Sequence, residues 1–156
     1  IMKRKPISPA KGMFADGLAL QIIIEGILIG SLALTAFAIG IKYYDTRSLQ
    51  DAQPFIPLVG RTMAFSVLSL SQLFHSFNMR SHRSLSEIGI FTNRKLVISF
   101  IICAIMQIAV ISVAPLAKVF QVVPLNLRQW AVVFMLSIAP IVVVEFQKKI
   151  NSKKYA

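Results

Sequence analysis

Glu25 is a carboxylate inside a stretch, residues 17–41, whose other members are apolar, small or neutral. As the ninth residue of a helical span it lies roughly 12 Å deep at about 1.5 Å per residue. An ionisable group at such depth costs about 2.5–3.5 kcal/mol on insertion scales, and such groups are commonly functional. Two kinds of chemistry suit it: coupling a proton or cation to transport, or joining helices as a protonated or hydrogen-bonded acid. With no second carboxylate nearby, the residues favour the hydrogen-bonded role. A second constellation is Ser69, Gln72, His75 and Ser76, which share one side of a helix. Hard cations take oxygen ligands, and an amide oxygen beside hydroxyls can contribute. Four neutral groups cannot hold a divalent ion alone, so carboxylates from elsewhere would be needed. The alternative, which the residues favour, is hydrogen bonding between helices. His75 reads as a hydrogen-bonded interface residue rather than a ligand, and His82 has no partner at ligand spacing.

Other features are read as structural. Gly26 and Gly30 form a small-xxx-small pair, which lets another helix backbone approach closely. Ser99, Cys103 and Gln107 make a weakly polar packing seam at i, i+4 and i+8. Pro140 is expected to kink its helix or release a carbonyl. No catalytic triad, zinc spacing, phosphate-binding glycine loop or carboxylate pair is present, so catalysis by these 156 residues alone is not expected.

The elements that must position these residues are long and apolar. A hydrocarbon core about 30 Å thick needs roughly 20 helical residues. In lipid every backbone polar group must be satisfied internally, which leaves helices or closed barrels. Period-2 alternation is absent, so the expected fold is an all-α membrane bundle of four transmembrane helices, at about 17–41, 62–79, 96–117 and 127–146. Residues 1–16 read as a cytoplasmic lead-in and 148–156 as a basic tail. Lysine and arginine alternate in density between the loops. Lys3, Arg4, Lys5 and Lys11 precede the first span; Arg80, Arg83, Arg94 and Lys95 lie between the second and third; Lys148, Lys149, Lys153 and Lys154 follow the fourth. Only Lys42, Arg47, Arg61, Lys118 and Arg128 fall on the other side. The positive-inside rule therefore puts both termini and the middle loop in the cytoplasm, where anionic lipid headgroups attract such clusters.

That distribution also decides what the net charge of +11 means. No stacking surface of aromatic and basic residues accompanies it, so nucleic acid is not the expected partner. Cys103 is single, which excludes a disulfide framework. The first span is longer than the ~7–15 apolar residues of a signal peptide and contains Glu25, which argues against that reading. Because the chain begins at Ile1 rather than Met, it reads as a fragment or a processed piece.

Several stretches together resemble P-type cation-transporting ATPases. Ile1-Met2-Lys3-Arg4-Lys5-Pro6, with Ser8-Pro9 and Lys11, resembles the cytoplasmic loop between their sixth and seventh helices. Thr62-Met63-Ala64-Phe65-Ser66-Val67-Leu68, followed by Gln72, Asn78 and Ser81, is similar to their eighth helix. Pro115-Leu116, Phe120, Leu127, Gln129-Trp130, Ser137 and Pro140 resemble the join of the ninth and tenth. The resemblance is strongest to bacterial calcium pumps of the sarcoplasmic-reticulum type and covers nearly the whole chain.

The resemblance implies helices seven to ten of such a pump, in a bacterial plasma membrane. It implies calcium as the transported ion. ATP and magnesium would be bound by parts of the protein preceding Ile1, as would the DKTGT phosphorylation motif and the carboxylates of helices four to six. The partners implied are those preceding transmembrane helices, the phosphorylation domain and membrane lipid. Gln72 falls where two-site calcium pumps carry a glutamate of their first calcium site; an amide keeps the oxygen but loses the charge, which implies one calcium per cycle. Gly26 and Gly30 would pack the seventh helix against the fifth, and the loop with Lys3 and Arg4 would couple the phosphorylation domain to the helices. For Glu25 the family implies no firm role. Two alternatives stand beside this one: a stand-alone small transporter with Glu25 as its coupling carboxylate, and a membrane scaffold without transport.

Overall fold

The computed structural model describes residues 18–45, 57–79 and 89–154, and every regular element among them is helical. Helix α1 runs Leu18–Tyr43, α2 Leu58–Met79, α3 Arg94–Ser112, α4 Ala114–Phe120 and α5 Leu127–Lys154, with a short 3-10 turn at Ile90–Thr92 before α3. Helix α2 packs against α1, α3 and α5, and α1 also touches α5. The core where they meet is Ala36, Met63, Val67, Leu70 and Val133.

Among the described residues three segments are long and apolar enough to cross a membrane: Ala19–Tyr43, Arg94–Ser112 and Leu127–Lys148. Helix α2 has the length, 22 residues, but not the apolarity, since it carries Arg61, five serines and threonines, Gln72, His75 and Asn78. Burial within the bundle takes up five of them, while Arg61 and Gln72 remain exposed. Thr62, Ser66, Ser71, His75 and Asn78 are buried, whereas Ile98, Ile101, Ile102, Ile105 and Met106 of α3 are exposed. The polar helix sits inside and the apolar helices outside, the arrangement expected of a bundle whose solvent is hydrocarbon. Two of the buried hydroxyls find partners in their own backbone: Ser66 donates to the Thr62 carbonyl at 2.7 Å and Ser137 to that of Val133 at 2.7 Å.

Three helix bounds differ from those expected by a turn or more. Helix α2 begins at Leu58, one turn before Thr62. Its first amides are satisfied by Asp45, whose Oδ1 and Oδ2 accept from the backbone N–H of Val59 at 3.1 Å and of Gly60 at 2.8 Å. Helix α3 stops at Ser112 rather than reaching 117. Pro115 has no N–H to give and its ring collides with the carbonyl four residues back, so it is accommodated in the first turn of a new helix, α4. Helix α5 continues through Lys148 to Lys154, past the expected 146, and remains helical through Pro140; the run Glu145-Phe146-Gln147-Lys148-Lys149 contains no glycine or proline to stop it. Its start is fixed by a reciprocal pair: Gln129 N–H donates to Asn126 Oδ1 at 2.9 Å, and Asn126 N–H donates to Gln129 Oε1 at 2.7 Å, the amide counterpart of a capping box.

Asp45 thus staples the end of α1 to the start of α2, and it is itself buried. A carboxylate on orphan amides at a helix N-terminus is favourable through both hydrogen bonding and the helix dipole. Asp45→Ala should therefore cost about 1–2 kcal/mol of stability and lower the thermal midpoint of the full-length protein in detergent. Asp45→Asn, which keeps one acceptor, should fall between. An alanine variant as stable as the parent would show that the staple holds nothing.

The tightest approach of α1 and α2 is at Gly40 and Gly60. A Cβ built on Gly40 would lie on the Gly60 backbone, 2.7 Å from its nitrogen, and one built on Gly60 would lie 2.9 Å from the Phe37 carbonyl oxygen. At the other end of α2, Lys148 of α5 donates through Nζ to the Asn78 carbonyl at 2.7 Å. This supplies one of the donors that the last turn of a helix otherwise lacks.

Candidate functional site

Glu25 and His75 meet between α1 and α2. His75 Nε2 lies 3.1 Å from Glu25 Oε2, and both residues are buried, at 8% and 7% exposure. Gln21, one turn earlier on α1, donates from Nε2 to Glu25 Oε1 at 2.9 Å. Both carboxyl oxygens are thereby engaged. The other imidazole nitrogen, His75 Nδ1, is buried and has no hydrogen-bond partner among the described residues. Sequence spacing could not pair these residues, since 50 positions separate them; the depth of Glu25 and the polar face of α2 were the only signals.

Beside the pair an open groove of about 470 Å³ runs between the C-terminal end of α2 and the start of α3, lined by Gln72, His75, Ser76, Met79, Asn93 and Leu96. Gln72 is exposed there, while His75 on the same face is buried. Ser76 is occupied by its own backbone, donating to the Leu73 carbonyl at 2.6 Å. Three of the four polar residues of this face thus border one groove, and Ser69 is not among its lining residues. Among the described residues no group of three histidine, cysteine, aspartate or glutamate side chains could hold a metal ion.

The other residues singled out from the sequence fall as follows. Gly26 and Gly30 are on α1, and a Cβ at either would meet nothing within 4 Å; the close approach they permit is not to any described helix. The small-residue contact that the structure does make uses Ala36 and Gly40, an equivalent four-residue spacing on the same helix, with Ala36 fully buried. The expected seam of Ser99, Cys103 and Gln107 does not form: Ser99 and Cys103 are exposed, and only Gln107 is buried. The α3 face that carries the two smaller residues turns outward with the isoleucines. Pro140 is buried within α5. Lys3 and Arg4 lie outside the described residues.

Comparison with known proteins gives one family. Residues 1–150 match the model of the family described as cation transporting ATPase, C-terminus. The chain is 44% identical to calcium-transporting ATPase 1 of Bacillus cereus over 159 aligned positions, covering 95% of this chain and 17% of that protein. It is 32% identical to a calcium-transporting ATPase of Bacillus subtilis, covering 90% of this chain and 15% of the relative. A calcium-transporting ATPase of Listeria monocytogenes is 27% identical over 98% of this chain and 16% of its own length. The chain thus spans about a sixth of the length of these relatives.

Proposed function

The chain belongs to the C-terminal family of cation-transporting ATPases, and from that membership we propose that it forms part of the membrane domain of an ATP-driven calcium exporter in a bacterial plasma membrane. The observation that carries this reading is the 44% identity over 95% of the chain to a protein named as a calcium-transporting ATPase. In this reading α2 is a fourth span, kept from the lipid by α1, α3 and α5, and both termini face the cytoplasm as the charge distribution indicates. ATP and magnesium are bound by other parts of the same protein. The chain contributes a scaffold for the ion-carrying helices, and the loop with Lys3 and Arg4 links that scaffold to the phosphorylation domain.

Two features of α1 support the scaffold role. Leu20, Ile23, Ile24 and Ile27 are exposed around the open Gly26 and Gly30, a surface suited to a preceding transmembrane helix. Glu25, by contrast, is held by Gln21 and His75, so the stand-alone transporter with Glu25 as its coupling carboxylate is not favoured, nor is a scaffold without transport.

Gln72 is the position through which this chain would touch the transported ion. A neutral amide, exposed in a groove that brings no carboxylate, is a weak ligand for calcium, and one calcium per cycle follows. In the full-length protein Gln72→Ala should move the calcium dependence of phosphoenzyme formation by less than about tenfold, or about 1.4 kcal/mol. A larger loss with normal folding would make Gln72 a working ligand and overturn the one-ion reading.

A further inference from the structure

We propose that residues 113–128 form an interfacial anchor, lying in the headgroup plane of the membrane at the end of the bundle where α2 begins and seated on anionic phospholipid. The proposal rests on the reading that α3 and α5 cross a bilayer. Those spans end at Ser112 and begin at Leu127, so the chain between them stays at the membrane boundary. It does not run there as a polar loop. Val113, Leu116, Val119, Phe120 and Leu127 are all exposed, Val119 at 76% and Leu127 at 86%. An exposed apolar surface of this kind marks a membrane or protein contact. Along the chain it continues the exposed Ile105, Met106 and Ile108 of α3, which the same reading places in hydrocarbon.

Helix α4 is two-sided in the way such a position requires. Leu116, Val119 and Phe120 fall at i, i+3 and i+4 and share one face. Ala117 turns inward and is buried. At 3.6 residues per turn Lys118 falls on the side opposite the three apolar residues, and it is exposed. A helix so divided sinks its apolar face to the boundary of headgroups and acyl chains and holds its cation at the level of the phosphates. The segment is also fixed to the bundle. Val123 N–H donates to Thr62 Oγ1 of α2 at 3.0 Å, and the Phe120 ring packs against Phe65 with centroids 6.3 Å apart. Gln121, at φ 53°, ends α4, and Val122 N–H returns to the Ala117 carbonyl at 2.9 Å. The apolar face is thereby held outward.

Charge selects the occupant. Residues 113–128 contain two cations, Lys118 and Arg128, and no carboxylate. Both cations are exposed. Asp45, the described carboxylate at this end of the bundle, is taken up by the amides of Val59 and Gly60. Two cations flanking an apolar face at headgroup depth suit the phosphates of anionic phospholipid. Trp130, one turn into α5 and stacked on Phe134 at 5.5 Å, has the amphipathic ring that favours the same level.

Depth-resolved fluorescence quenching tests this on the full-length protein in lipid nanodiscs, in a background cleared of other reactive cysteines, Cys103 included. A bimane label is placed on Val119→Cys, with Leu127→Cys as an independent second position. Phospholipids brominated near the top of the acyl chain should quench both labels more than aqueous iodide does, and a label on Lys118→Cys should show the reverse. Brominated phosphatidylglycerol should quench the Val119 label more than brominated phosphatidylcholine, reflecting an enrichment of up to about fivefold per cation. Lys118→Gln with Arg128→Gln should abolish that difference. Quenching of the Val119 and Leu127 labels by iodide alone, by neither agent as when protein covers them, or equally by the two lipids would overturn the proposal. A label on Ile105→Cys in α3 separates the two readings. If bromines deep in the acyl chains quench it while the Val119 and Leu127 labels stay unquenched by lipid, only the anchor fails; if they do not, the spanning reading falls with it.

Discussion

Gly40→Ala should reduce the yield of folded protein and lower its thermal midpoint, and Gly40→Leu should abolish folding. Helix propensity alone predicts the opposite for alanine, a gain of about 1 kcal/mol over glycine in a helix interior. The crossing of α1 and α2 reverses the sign. The atoms that a Gly40 Cβ would meet belong to the Gly60 backbone, which cannot turn away as a side chain can, and overpacking of this kind costs about 1–3 kcal/mol. The loss extends beyond the contact itself, because the same crossing carries the Asp45 staple and helps hold the core of Ala36, Met63 and Val67 together. Gly60→Ala should be damaging for the same reason, with its Cβ 2.9 Å from the Phe37 carbonyl, and the two substitutions together should not add, since they disrupt one contact. Thermal denaturation and size-exclusion profiles of the single variants and of the double variant check this. A Gly40→Ala protein more stable than the parent would mean that the helices do not cross there.

Gly26→Leu should behave differently although it lies on the same helix. Nothing among the described residues stands within 4 Å of a Cβ at Gly26 or Gly30, so a leucine there leaves the packing of α1 on α2 and α5 undisturbed. In the full-length protein those positions should face a preceding transmembrane helix, and a leucine would hold the two apart. We expect turnover to fall by at least about tenfold, equivalent to about 1.4 kcal/mol on the barrier, with Gly30→Leu giving a similar loss. Unchanged yield and turnover in both would remove the close-approach argument.

The contrast between the two glycine pairs shows what was legible in the sequence and what was not. The long apolar helices were plain from composition, and so was the polar character of the helix carrying Gln72 and His75. Gly26 and Gly30 read as a packing surface because the spacing is local to one helix, but no described residue packs against them. Ala36 and Gly40 have the same spacing, and Asn126-x-x-Gln129 ahead of an apolar helix is also a local signal. The break at Val113 was likewise available, since Pro115 had only to be read against the carbonyl it would strike. Other features lay beyond any local pattern. The Glu25–His75 bond and the reach of Asp45 to Val59 and Gly60 depend on how α1 and α2 are set against each other, and that setting comes from the Gly40–Gly60 crossing rather than from either helix alone.

The most direct test of the account is ATP-driven calcium uptake into vesicles containing the full-length protein, with calcium-stimulated ATP hydrolysis measured in parallel. The account predicts uptake that requires ATP, is specific for calcium over other cations, and saturates at one calcium per ATP hydrolysed. ATP-driven uptake of a different cation, or no ATP-dependent uptake by folded protein, would contradict it.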